Sequence, residues 1–107
     1  MNYRKLGSTG LRVSGMGLGC NNFGMRCDEA RSIEVVHAAL DHGINFFDTA
    51  DVYDGSQSEL LPGRVISEHD RSQIVIATKF GNRMGEGVLH SGASRHHIMN
   101  AVEASPR

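Results

Sequence analysis

Apolar positions along this chain fall into short runs separated by amphipathic stretches. Ile44-Asn45-Phe46-Phe47 and Ile74-Val75-Ile76-Ala77-Thr78 are rich in β-branched and aromatic residues. They predict buried strands over 44–48 and 74–79. Ile33, Val36, Ala39 and Leu40 recur at helical spacing, with Asp28 placed to cap and Gly43 to stop. That pattern predicts a helix from Asp28 to about His42. A second helix is expected from Glu59 to about Glu68, with Pro62 near its first position, because a deeper proline loses a hydrogen bond and clashes. Ser94 can cap a third helix whose stripe uses Ile98, Met99, Ala101 and Val102.

The N-terminal segment has a different rhythm. Tyr3-Arg4-Lys5-Leu6 and Leu11-Arg12-Val13 flank Gly7-Ser8-Thr9-Gly10, which predicts a β-hairpin. Met16-Gly17-Leu18-Gly19 reads as a short glycine-rich strand. Polar residues 51–58 form a loop with Gly55 as its turn position, and a glycine-rich loop covers 81–92. A hairpin followed by three strand–helix units predicts an α/β fold with a parallel sheet and right-handed crossovers.

A length of 107 residues fits one domain, and 39% hydrophobic with 21% charged residues fits a soluble one. The net charge of −1 gives no basic field for nucleic acid or an anionic membrane. No window approaches the roughly 20 apolar residues of a membrane helix. The opening Met1-Asn2-Tyr3-Arg4-Lys5 leads into no apolar signal region, so a cytoplasmic location is expected. Cys20 and Cys27 match no common zinc spacing and read as reduced thiols. His96 and His97 are adjacent and make a poor helical chelate, so no metal site is expected.

Candidate chemistry gathers at the strand ends. Asp48 closes the first apolar run and Lys79 the second, while Tyr53 follows in the loop after Asp48. Neighbouring parallel strands lie roughly 4.8 Å apart. Alternation puts Phe46 and Asp48 on one face, and Val75, Ala77 and Lys79 on one face of the next strand. A nearby ammonium favours a phenolate and makes tyrosine a better acid. Tyr53 could then give a proton to a carbonyl oxygen as a cofactor delivers hydride to the carbon. From spacing alone, a surface salt bridge and a packing tyrosine are the favoured reading of the same residues. Gly17-Leu18-Gly19 lacks the last glycine of a Rossmann fingerprint. Its glycines either relieve crowding or let a flat ligand approach near Gly19.

These motifs together resemble the aldo-keto reductase family. Leu6-Gly7-Ser8-Thr9-Gly10-Leu11-Arg12-Val13-Ser14 is similar to its N-terminal hairpin, and Met16-Gly17-Leu18-Gly19-Cys20 to its first barrel strand. Gly43-Ile44-Asn45-Phe46-Phe47-Asp48-Thr49-Ala50-Asp51-Val52-Tyr53 resembles its signature. Ser58-Glu59 with Gly63 resembles the start of its second helix, and Ala77-Thr78-Lys79 its lysine strand. The resemblance implies a partial TIM (β/α)8 barrel: an N-terminal hairpin plus about three βα units. It implies NADPH as hydride donor, a small carbonyl substrate, and Asp48, Tyr53 and Lys79 as three members of a catalytic tetrad. Gly19, Cys20, Asn21 and Asn22, with Asp48, would lie by the nicotinamide end of the cofactor.

Three positions depart from the family pattern. Asp54 stands where glycine usually follows the tyrosine, Pro62 replaces a helical apolar residue, and Pro106 stands where leucine is usual. A whole barrel of this type needs about 250 residues. Residues 1–107 are therefore expected to be the N-terminal part of such a domain, without the family's later tetrad histidine. An isolated three-strand sheet would expose an edge and an inward face, which predicts self-association. The resemblance also puts the cofactor's adenosine-phosphate site in later loops, so no turnover is expected of this chain alone. The alternatives are a partner-binding fragment and a degenerate product.

Overall fold

The computed structural model describes residues 1–105; Pro106, one of the three departures, lies outside them. The N-terminal hairpin forms as expected from β1 (Tyr3–Lys5) and β2 (Arg12–Ser14), antiparallel with Arg4 opposite Val13. It stands as a separate two-stranded sheet. A second sheet holds β3 (Leu18–Gly19), β4 (Phe46–Asp48) and β5 (Val75–Ala77), parallel and in chain order. The helices α1 (Glu29–Asp41), α2 (Gln57–Ile66) and α3 (Arg95–Ala104) follow the three strands in turn. This is the expected α/β alternation.

Register divides the sheet into two unlike faces. Leu18, Phe47 and Ile76 share one level across the strands, as do Gly19, Asp48 and Ala77 one residue further on. The first set faces the helices. Phe47 is fully buried among Val36, Ala39, Leu61, Val65, Ile66 and Ile74, with Leu18 and Ile76 packed against them. The second set, with Phe46 and Val75, forms the opposite face, where no buried residue stands. Gly17 belongs to the crowded side of this problem: a Cβ there would lie 3.0 Å from the Phe46 ring.

The strands are shorter than the apolar runs. Asn45 lies just ahead of β4, its backbone O accepting from Val75 N at 2.8 Å while its side chain reaches the hairpin. Its Oδ1 accepts from Ser14 N at 2.7 Å, and its Nδ2 donates to Arg12 O and Gln73 O. It therefore ties the hairpin to the main sheet. Lys79 lies two residues beyond β5.

Helix ends explain the helix placement. Asp28 accepts from Arg31 N at 2.8 Å and caps α1. At the other end Gly43 takes a φ of +80°, Gly43 N donates to Leu40 O and Ile44 N to Ala39 O. That is the paired closure of a Schellman motif, which turns the chain directly into β4. Ser94 accepts from His97 N and caps α3.

Two expectations are corrected. Pro62 does not open α2; it is the sixth residue of a helix that begins at Gln57. The preceding turn and the buried side chains of Ser58 and Glu59 fix the first turn ahead of the proline. The stripe on α3 is also rotated. His97 is its buried residue, Ile98 and Ala101 are half-buried, and Met99 and Val102 are exposed.

Candidate active site

The site grows from the C-terminal ends of β4 and β5. Parallel pairing continues past the strands: Thr49 N donates to Ala77 O at 2.8 Å and Asp51 N to Lys79 O at 3.1 Å. This locks the Lys79 backbone beside the loop that follows Asp48. The Lys79 ammonium donates to Asp48 Oδ1 at 2.6 Å and to Thr49 O at 2.7 Å. It also lies 5.3 Å from the centre of the Tyr53 ring. The three residues singled out in the sequence are thus brought together at one rim.

Both charged side chains are about half exposed, 50% for Lys79 and 52% for Asp48. An exposed pair contributes little to stability. Its effect is to fix one protonation state. The hydrogen bond that it donates to Asp48 holds the Lys79 amine above its ordinary range, opposing the slight loss of solvent, with the Asp48 charge and Tyr53 adding to it. Lys79 is therefore a cation throughout the neutral range.

Tyr53 begins a tight turn, Tyr53–Ser56. Asp54, Gly55 and Ser56 all take positive φ, at 47°, 58° and 75°. Glycine at 55 fits, as the sequence predicts. Asp54 occupies a left-handed conformation in which glycine would be unstrained. Ser56 Oγ donates to Asp51 O at 2.9 Å and closes the loop on itself.

The rim near β3 is less uniform. Gly19 pairs in register with Asp48 and is exposed; a Cβ there would meet nothing within 4 Å. Asn21 and Asn22 are also exposed in the following turn. Cys20 does not join that rim. It is fully buried, its Sγ donates to Leu18 O, and its backbone N donates to Asp48 O at 2.9 Å. Burial, helped by the Asp48 charge, pushes its thiol up to about 12. Cys27, the other free cysteine, is half-buried.

Two buried polar groups under the site were not found from sequence. Ser58 Oγ donates to Cys20 O at 2.7 Å, which leaves it to accept from Thr49 Oγ1, also 2.7 Å away. This chain ties the ends of β3 and β4 to the start of α2. Glu59 Oε1 accepts from Thr78 Oγ1 at 2.6 Å and from Ser105 Oγ at 3.0 Å, tying β5 to α3. The available signal was a Ser-Glu pair directly after the site loop.

Comparison with known proteins decides what this scaffold is. The profile of the Aldo/keto reductase family matches residues 15–107. The chain belongs to the aldo/keto reductase family. It is 39% identical over 110 residues to an Arabidopsis thaliana protein named "Probable voltage-gated potassium channel subunit beta", covering 98% of this chain and 33% of that one. It is 39% identical over 107 residues to "Uncharacterized oxidoreductase YqkF" of Bacillus subtilis (strain 168), covering 98% and 34%. Among solved structures it superposes on the holo form of aldo-keto reductase AKR11C1 from Bacillus halodurans with a TM-score of 0.83 and 35% identity, covering 96% and 34%. The chain thus spans about a third of the length of these aldo/keto reductase relatives. Its open three-strand sheet matches that part of the family's fold.

Proposed function

We propose that this chain carries the aspartate, tyrosine and lysine of an NADPH-dependent oxidoreductase that reduces an aldehyde or ketone to an alcohol. The observation that supports it is the Lys79 ammonium, held by Asp48 and Thr49 and lying beside the Tyr53 ring. The rim fits the cofactor's carboxamide end: Gly19 leaves open space, and exposed amides of Asn21 and Asn22 offer both donors and acceptors. Gly19, Asn21, Asn22 and Asp48 would hold it there, with Cys20 supporting their backbone from below. When bound, NADPH supplies the hydride that no side chain can provide. NADPH rather than NADH rests on the family resemblance.

The chain's own residues then handle the proton. The Tyr53 hydroxyl donates it to the carbonyl oxygen, which becomes the alcohol. The Lys79 cation favours the phenolate left behind. Asp48 keeps the ammonium in place and offsets part of its charge. The half-exposed setting lets a small carbonyl compound reach the hydroxyl. A cytoplasmic setting suits two free thiols.

The test uses the protein that carries this chain in its native source, assayed for NADPH oxidation with a reactive aldehyde. Tyr53→Phe should lower kcat by about 10²–10⁴-fold while NADPH affinity holds. An unchanged kcat would sink the reading. The 107-residue chain by itself should give no turnover. A second reading, a partner-binding element, is favoured by the relative whose name is that of a channel subunit. Stoichiometric capture of a partner unaffected by Tyr53→Phe, with no carbonyl turnover, would select it.

A further inference from the structure

Behind the site loop lies a cavity of about 220 Å³ that the reduction does not use. Asp51, Glu59 and His97 lie on its polar side together with Ser56, His90, Asn100 and Ser105, and Met84, Ala101 and Ala104 form its apolar side. Two of its polar groups are anomalous. Asp51 is only 7% exposed and His97 5%. Asp51 Oδ1 and His97 Nε2 are both buried without a hydrogen-bond partner. A buried carboxylate oxygen left unpaired is costly, and such groups are usually matched by a donor or a counter-ion. Among the described residues no lysine or arginine lines this cavity. The neighbouring carboxylate, Glu59, already accepts from two hydroxyls and offers no donor. Among the described residues no group of three metal-ligating side chains is assembled, which argues against a metal ion.

We propose that this cavity binds a small organic cation with N–H donors, a primary ammonium or guanidinium. Its charged head donates to Asp51 Oδ1 and to His97 Nε2, the two unpartnered atoms. Its carbon body lies against Met84, Ala101 and Ala104. A hydrogen-bonded charge pair satisfies both orphaned acceptors at once, and planar or trivalent N–H donors suit two acceptors in one pocket. The volume suits a ligand of a few heavy atoms. The inference stands on the cavity and its unpaired atoms, independently of the carbonyl chemistry.

The test is a titration of the full chain with methylguanidinium, followed by amide chemical shifts at Asp51 and His97. Sodium chloride at matched ionic strength is the control, and tetramethylammonium tests charge without donors. Saturable shifts at both residues with methylguanidinium, absent with tetramethylammonium, are expected. Asp51→Asn keeps the shape and should weaken binding at least about tenfold. Should that variant unfold, Ala101→Leu, which fills the apolar side, should abolish the shifts in a folded chain. Equal response to tetramethylammonium overturns the proposal. So does a titration in which methylguanidinium moves neither amide.

Discussion

Asp48, Tyr53 and Lys79 converge at one rim. That convergence was legible in the sequence, because strand ends and a following loop are where such groups collect. Cys20 was not, because its backbone lies at the rim while its side chain points into the core. With its thiol raised to about 12, almost no thiolate exists at neutral pH. Iodoacetamide should therefore label Cys27 well before Cys20 in the folded chain, and Cys20 should begin to react only as pH climbs toward its raised value. Peptide mass spectrometry reads the order; early labelling of Cys20 would show that it is not buried. Asp54 gives the second prediction at this scale. Its left-handed backbone costs an L-residue roughly 1 kcal/mol, less for aspartate than for most. Asp54→Gly should raise stability by roughly 0.5 kcal/mol, after the extra freedom glycine gives the unfolded chain is subtracted. Urea unfolding checks it; a lower midpoint would mean that the Asp54 side chain holds the loop.

At the level of elements, the pattern located all three helices and the buried strands and placed both ends of α1 and the cap of α3, but missed the boundaries of α2 and of the strands. The boundaries are set by side chains reaching other elements, which no local pattern encodes. Asn45 N donates to the Ser14 hydroxyl rather than to a neighbouring strand, and β4 starts one residue later. Ser58 and Glu59 bond to the strand ends and so start α2 ahead of Pro62. Pro62 is consequently held inside the helix, where it leaves Ser58 O without its helical donor. A proline in a helix interior costs about 3 kcal/mol relative to alanine. Pro62 is also buried, so removing its ring forfeits packing of about 1 kcal/mol. Pro62→Ala should therefore stabilise the chain by roughly 1–2 kcal/mol, measured by thermal or urea unfolding. Destabilisation would mean that the ring packs something alanine cannot replace. The rotated stripe of α3 has the same kind of cause. Its buried position is a histidine beside Phe80, with ring centres 6.3 Å apart, and a hydropathy pattern does not select histidine for a core face.

The whole molecule is a thin slab, and its thinness follows from the two unlike faces of the sheet. Its dimensions are 44 × 36 × 20 Å, and its radius of gyration is 14.5 Å. A compact domain of this length would have about 13 Å. The shortest dimension holds one sheet and one helix layer, with no layer across the other face. Phe46, Val75 and Ala77 stand on that face only half-buried. The loop after β5 and α3 carry further exposed apolar residues: Val88 is 91% exposed, Val102 60% and Leu89 54%. The strands at either side of the three-strand sheet also present unpaired backbone. Hydrophobic surface of this extent favours association, and parallel pairing at an open edge gives it direction. Two copies supply six strands, fewer than the eight of a closed barrel, so dimerisation leaves the problem unsolved and growth continues. Sedimentation velocity of the isolated chain should show mass rising with concentration above 11.6 kDa, without a plateau at the dimer. Val75→Lys places charge on the open face without touching the helix-side core, and should shift the distribution toward monomer. A concentration-independent monomer that melts sharply would show instead that one sheet face and three helices are enough to hold this part of the fold.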